Sequence, residues 1–259
     1  MESIISIVNQ KGGVGKTITA VNLSASIAAA EKRCLLVDCD PQGNATTSLG
    51  VTPSSLKPSL YDLIVGEHAG NNVILDTEIP KLKLIGANSD LFGAEVEMFS
   101  KKNKEYLLSN ILSKFKNQYD YIFIDCPPSL GFLTLNALAA ADSFLVPLQC
   151  EYLAMEGLTQ LLNTVRLVKK GLNPSLVMIG ILLTMFDRRN NLSHQVADEV
   201  RRHFRGVFQT IIPRNVSLSE ASSYGKPIIL YDIRSKGAQS YLELAREVIL
   251  KREDEVGQT

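Results

Sequence analysis

The sequence predicts a doubly wound α/β fold: a mostly parallel sheet with helices on both faces. Three observations carry that expectation. Short apolar runs alternate with amphipathic stretches along the chain, the pattern of repeated strand–helix–strand units. The runs are continuously rich in Ile, Val and Leu, as suits strands covered on both faces. A glycine-rich turn follows the first run and opens directly into a helical stretch, where sheets of this kind bind phosphate.

Taken in order, Ser3–Val8 reads as the first strand and Lys16–Ala30 as the first helix, with Arg33–Val37 the next strand. Residues 51–80 carry Pro53, Pro58 and Pro80 with several Gly and Asn, which predicts a mobile excursion within one domain spanning 1–259. Leu82–Ala87 and Tyr119–Ile124 are strands on either side of a helical Lys102–Asn117. Thr134–Ala141 (helix), Ser143–Leu148 (strand), Glu156–Gly171 (helix) and Val177–Leu183 (strand) continue the alternation, and helices at Asn191–Phe204 and Gly237–Lys251 close it.

Composition removes several function classes. The chain has 259 residues, 45% hydrophobic and 21% charged, too apolar for a disordered chain. Lys and Arg number 27 against 27 Asp and Glu, so nothing in the bulk charge suits coating nucleic acid, and only a local basic patch could do so. The first apolar run is too short for a secretory signal, and the most apolar later region, 131–148, is interrupted by Thr134, Asn136, Asp142 and Ser143. Cys34, Cys39, Cys126 and Cys150 show no CxxC spacing and read as buried thiols of a cytoplasmic protein.

The chemistry begins after the first strand, at Lys11-Gly12-Gly13-Val14-Gly15-Lys16-Thr17. The GxxxxGK[ST] phosphate-loop pattern fails here, because its first Gly falls on Gln10. The physics fits nevertheless. Three glycines permit positive φ and let backbone N–H groups wrap an anion. A helix starting near Lys16 points its positive end at that anion. Lys16 supplies a charge for terminal phosphates, Thr17 a hydroxyl for Mg²⁺, and the backbone N–H of Ile18 a further donor. Asp38-Cys39-Asp40-Pro41-Gln42-Gly43-Asn44 follows the second strand, and Asp125 ends a later one before Cys126-Pro127-Pro128-Ser129. Carboxylates at such strand ends face the ligand crevice.

Lys11 lies before the glycines and cannot easily reach a nucleotide held by its own loop. With that lysine, the chain resembles the deviant Walker A ATPases, the family of the partition ATPases ParA and Soj and the division-site ATPase MinD. The resemblance extends through DxDPQGN at Asp38–Asn44, through Asp125 with its Pro-Pro-Ser, and through Gln149-Cys150-Glu151-Tyr152. Ile212-Pro213-Arg214-Asn215 and Gly225-Lys226-Pro227 extend it further. It implies a P-loop NTPase fold that binds ATP and Mg²⁺, and hydrolysis to ADP and phosphate. By resemblance Lys11 crosses a dimer interface to the partner's ATP, Asp40 orients the attacking water, and Asp125 acts on Mg²⁺ through water. Gln149–Gly157 lies beside the interface. Pro213 and Asn215 border the adenine.

The loop begins at Lys11 and the tail Lys251–Thr259 reads KREDEVGQT, with neither the apolar face nor the charge of a membrane-gripping helix. Both features fit the short, Soj-like form. Arg188, Arg189, Arg201, Arg202 and Arg205 fall within a stretch containing only Asp198 and Glu199 as acids. The resemblance puts Arg189 on a face that binds double-stranded DNA without sequence preference. Ser217 stands where the family usually carries another basic residue, and Ile18 where it usually carries a second threonine. The implied function is chromosome or plasmid partitioning by an ATP-bound homodimer that sits on the nucleoid and is released on hydrolysis stimulated by a ParB/Spo0J-like partner. Two alternatives stay open: a MinD-like positioning ATPase with a protein cargo, and a P-loop amide-forming enzyme.

Overall fold

The computed structural model describes residues 3–66 and 71–257. In chain order the elements are β1 (Ser3–Ile7), α1 (Lys16–Ala29), β2 (Cys34–Asp38), α2 (Asn44–Ser48), α3 (Leu60–Val65), β3 (Ile74–Asp76), β4 (Leu82–Ile85), α4 (Leu91–Met98) and α5 (Leu107–Leu112). There follow β5 (Tyr121–Asp125), α6 (Phe132–Ala140), β6 (Ser143–Gln149), α7 (Ala154–Gly171), β7 (Val177–Phe186), α8 (Asn191–His203), β8 (Val207–Pro213), α9 (Val216–Ser223), α10 (Ile228–Tyr231) and α11 (Lys236–Gly257).

The strands form one eight-stranded sheet in the order β3-β4-β2-β5-β1-β6-β7-β8. Only β3, at one edge, runs antiparallel to its neighbour. Successive side chains of a strand point to opposite faces, so each central strand feeds two cores. Ile4, Leu35, Ile122 and Phe144 enter one core, under α3 to α8. Their sequence neighbours Ile5, Leu36, Phe123 and Leu145 enter the other, under α1, α2 and α9 to α11. The chain leaves β1 for β2 in one direction and β5 for β6 in the other. Opposite departures open a crevice at the strands' carboxyl ends, where the glycine-rich turn lies.

The predicted fold class and the central strands are present, together with short helices α2, α4, α9 and α10 that no apolar pattern announced, and with further differences. The expected helix at 102–117 is broken into α5 flanked by single 3₁₀ turns at Lys104–Tyr106 and Lys116–Gln118. Asn103 sits at φ 58°, and the buried Asn136 takes the α5 N-terminus, accepting from Leu108 N at 3.2 Å and donating to Lys104 O at 3.0 Å. The 51–80 excursion holds α3 and β3 among its described residues, with Leu60 and Val73 wholly buried, so much of it is built into the core; residues 67–70 lie outside the described residues. The edge strand β8 was not anticipated, since its half-buried pattern lacks a continuous apolar run. Helix α11 continues to Gly257, and the tail's last two residues lie outside the described residues. No described helix is long and apolar enough to cross a membrane.

Candidate nucleotide site

The turn after β1 is shaped by glycine at two positions. Gly13 has φ 74°, and Gly15, at φ 87° and ψ 27°, is the residue from which α1 starts. L-residues with side chains rarely adopt this left-handed region. The surrounding fold pins the turn from outside. Thr184 Oγ1 at the end of β7 donates to Val14 O at 2.9 Å, and Asn9 Nδ2 donates to Pro147 O at 2.8 Å while its Oδ1 accepts from Lys11 N at 3.0 Å. The N-terminal amides of α1 therefore open onto a cavity of about 520 Å³. Gly12, Gly13, Gly15, Lys16, Thr17 and Asp40 line it.

Lys16 is only 7% exposed and its Nζ donates to Lys11 O at 3.0 Å. Burial lowers its pKa, against the nearby charges of Asp125, Cys126 and Asp40. The strand register sets Asp38 and Asp125 side by side at the ends of β2 and β5. Both are fully buried, and both carboxyls are pushed up, chiefly by burial and further by their neighbours' negative charge. Their partners separate their roles. Asp38 accepts from Thr46 N at 2.8 Å, Thr46 Oγ1 at 2.7 Å and Asp40 N at 3.1 Å. Asp38 thus anchors the segment that carries Asp40. Neither oxygen of Asp125 has a hydrogen-bond partner, although the Thr17 hydroxyl is close enough to lower its pKa. Two bare carboxylate oxygens in the interior are costly unless something else supplies positive charge or donors. A hydrated divalent cation meets that need, because Mg²⁺ keeps much of its water and binds through one or two carboxylates.

Asp40 is 7% exposed, with Oδ1 accepting from Gln42 N at 3.0 Å and its carbonyl from Gly43 N at 2.9 Å. Gly43 closes that turn at φ 64°, and a Cβ there would lie 2.8 Å from Pro53 Cγ and 3.0 Å from Ala87 O. Behind it, Thr46 Oγ1 accepts from Ala87 N at 3.0 Å, tying the segment to the end of β4.

A second cavity, of about 400 Å³, shares Gly15, Ile18 and Met185 with the first and continues to Pro213, Asn215 and Tyr241. Asn215 Oδ1 is buried and without a partner, an acceptor suited to an N–H-bearing ring. Lys11 lines neither cavity. Its Nζ lies 3.2 Å from Glu151 Oε2, and both side chains are about half exposed.

The arginines are not brought together. Arg188 and Arg189 lie in the turn after β7, Arg201 and Arg202 in the last turn of α8, and Arg205 beyond it. The ten residue steps of α8 from Asn191 to Arg201 put the two groups about 15 Å apart along the helix axis. Arg189 is 90% exposed and is held by Asp187, Nε to Oδ1 and Nη2 to Oδ2 both at 3.3 Å. Arg202 pairs with Glu199 at 3.0 Å.

Several contributors were missed in the sequence. Thr184 was visible in principle, as a hydroxyl at a strand's carboxyl end. Met185, at φ 50°, forms wall for both cavities. Tyr241 meets Thr19 Oγ1 at 3.1 Å, and Arg214 lies within electrostatic reach of Asp187. Those three come together only through long-range packing. The Gly225-Lys226-Pro227 motif has a packing role: Gly225 has φ 65°, and a Cβ there would lie 2.8 Å from Gly50 Cα. All four cysteines are free and buried.

Residues 2–178 match the model of a family described as an AAA domain. A solved structure, cobyrinic acid a,c-diamide synthase from Mycobacterium smegmatis with bound ADP and magnesium, superposes with a TM-score of 0.85 at 37% identity, covering 96% of this chain and 94% of that one. The chromosome partitioning protein ParA of Myxococcus xanthus is 57% identical over 96% of this chain and 88% of its own. The sporulation initiation inhibitor protein Soj of Bacillus subtilis is 55% identical over 96% of this chain and 98% of its own. With more than half the residues shared along nearly the whole of both chains, this chain belongs to the ParA/Soj family of chromosome-partitioning ATPases.

Proposed function

We propose that the protein is an ATP-operated DNA-partitioning switch, a single domain over residues 1–259 that dimerises face to face around two ATP molecules. Lys11 carries this reading. It sits at the mouth of the phosphate cradle yet lines neither cavity of its own chain, and its ion pair with the half-exposed Glu151 can be exchanged for a nucleotide held by a second copy. The rim is correspondingly apolar for a surface, with Tyr152, Leu153, Val216 and Tyr224 all more than half exposed.

In each subunit the amides of Gly12 to Ile18 and the ammonium of Lys16 hold the phosphates of ATP. Asn215 and Pro213 border its base. Thr17 and Asp125 would hold Mg²⁺, which neutralises charge developing on the phosphates. Asp40 stands beside the terminal phosphate and aligns the attacking water. Asp38 keeps Asp40 there through Thr46 and the Asp40 amide. The dimer presents Arg188 and Arg189 twice, with Arg214 beside them, to DNA phosphates, which position a protein without reading sequence. Hydrolysis, accelerated by a ParB/Spo0J-like protein, dissolves the dimer and releases it from the nucleoid. ATP then acts as the ligand that favours one of two states.

Light scattering with a slowly hydrolysed ATP analogue tests the central step. Lys11→Ala is expected to bind the analogue as a monomer and fail to dimerise, whereas Lys16→Ala loses nucleotide affinity within each subunit. A Lys11→Ala protein that dimerises like the wild type would overturn the proposed reach. The name of the Mycobacterium smegmatis structure favours one other reading, amide formation on a small acceptor. Steady ATP turnover that needs a small-molecule acceptor would replace the switch with that enzyme.

A further inference from the structure

Lys11 is held in cis at two points. Lys16 Nζ donates to its carbonyl at 3.0 Å, which fixes the backbone from which its side chain departs. Its own ammonium then meets Glu151 Oε2 at 3.2 Å. Glu151 is itself steered, because Gln149 Nε2 donates to its other oxygen. The neighbouring Gln10 binds the start of α7, donating to Gln160 Oε1 at 2.7 Å and to Gly157 O at 3.3 Å. The segment before the glycines is therefore stapled to the segment after β6, with the Lys11 charge turned onto a carboxylate of its own chain.

We infer that Glu151 is a latch on Lys11, a positioning residue whose cis ion pair must open before Lys11 can serve a second copy, and which thereby sets the concentration at which subunits associate. This rests on the trans-acting lysine proposed above. The size of the effect follows from exposure. The two side chains are 45% and 51% exposed, and pairs in that setting contribute a factor of roughly 1.4 to 5. A symmetric dimer opens two latches, so removing them multiplies to about 2- to 30-fold in the association constant. That range tunes assembly without preventing it.

The test compares the full-length wild type with Glu151→Gln. The dimer dissociation constant is measured by sedimentation at saturating slowly hydrolysed ATP analogue and Mg²⁺, so that any change in nucleotide affinity does not enter. The variant is expected to dimerise about 2- to 30-fold more tightly at about 50 mM salt, with the gap narrowing at about 500 mM as screening weakens the pair in the wild type. In the monomer, Lys11 is expected to react several-fold faster with an amine-directed acylating reagent, read by mass spectrometry. If the wild type dimerises and Glu151→Gln dimerises equally or less tightly, the latch is overturned while the trans lysine stands. If the wild type binds the analogue and stays monomeric, the dimer reading itself fails and the latch falls with it.

Discussion

The nucleotide crevice and the arginine surface sit at opposite ends of one scale. At the phosphate end of the crevice the charged groups are placed by buried backbone. Asp38 and Asp125 are fixed by the register of adjacent strands, Asp40 by a turn that only glycine completes, and Lys16 by the helix its own loop begins. On the arginine surface the charges end long side chains, and their partners are their own sequence neighbours: Asp187 for Arg189, Glu199 for Arg202. Burial makes a charge costly unless its geometry is specified. An exposed ion pair contributes little and leaves its members free to change partners. The first arrangement suits chemistry that tolerates little misplacement, the second a surface that meets phosphates in any register.

The largest expected effect lies in the crevice. Asp40→Ala should reduce ATP turnover by about 10²- to 10⁴-fold, while analogue binding and dimerisation persist, because aligning water contributes nothing to holding the nucleotide. Turnover, binding and sedimentation measured on one preparation would decide this. Near-normal turnover would leave the crevice without its assigned water-positioning group.

Backbone placement comes next. Gly43→Ala adds a methyl 2.8 Å from Pro53 Cγ in a left-handed turn, at a cost of about 1–3 kcal/mol. It should lower the melting temperature and displace Asp40, reducing turnover as well. Gly12→Ala is the control: its added Cβ meets no protein atom within 4 Å, so melting should barely change while phosphate affinity drops. Equal thermal losses in the two variants would refute the idea that the second turn, more than the first, is fixed by packing.

The two regions should also part on pH. Burial and neighbouring charge raise the Asp38 carboxyl to about 6 and Asp125 well above its ordinary value. A carboxyl that is more basic folded than unfolded favours the folded state only while protonated, so its contribution declines as pH rises from about 4 through about 6. The nucleotide-free protein should therefore lose melting temperature over that interval, and Asp38→Asn should flatten the slope. If Asp125 holds Mg²⁺ as proposed, it does so ionised, so the stabilisation added by Mg²⁺ and analogue should grow as pH rises. The arginines stay charged throughout and should add no slope of their own.

This contrast also explains what could be read from sequence. The turn of Gly12 to Thr17 was legible because phosphate binding imposes its demands on consecutive residues; the place of Asp125 at the end of an apolar strand was legible too, while its proposed role came from the resemblance of Asp-x-Pro-Pro-Ser. Asp38 was harder to assign: nothing in Asp38–Asn44 reveals that Thr46 and the Asp40 amide occupy its carboxylate. Asn215 was reached only through the resemblance, and Met185 and Tyr241 not at all, since all three enter from the far half of the chain and share a cavity only after β7, β8 and α11 have packed. The arginines pose the opposite question: five within a short stretch suggest one patch, and the helix between them spreads that patch along its axis into two groups.

That distance yields the smallest prediction and the most direct test of the comparison. If the turn after β7 meets DNA and the far end of α8 does not, Arg189→Ala and Arg202→Ala should differ although both remove one exposed arginine. In a dimer each substitution removes two charges. Loss of two phosphate contacts should flatten the slope of log affinity against log salt by about 1.8 for Arg189→Ala. Affinity at low salt should fall several-fold with it. Arg202→Ala should leave the slope unchanged within error, since Arg202 lies in the last turn of α8, away from the turn after β7. Ser217→Arg, on the first turn of α9 close to Arg214, should steepen the slope by a similar amount. Equal slopes for the two arginine variants would mean that DNA spans the full length of α8, and the surface would then be as sharply specified as the crevice.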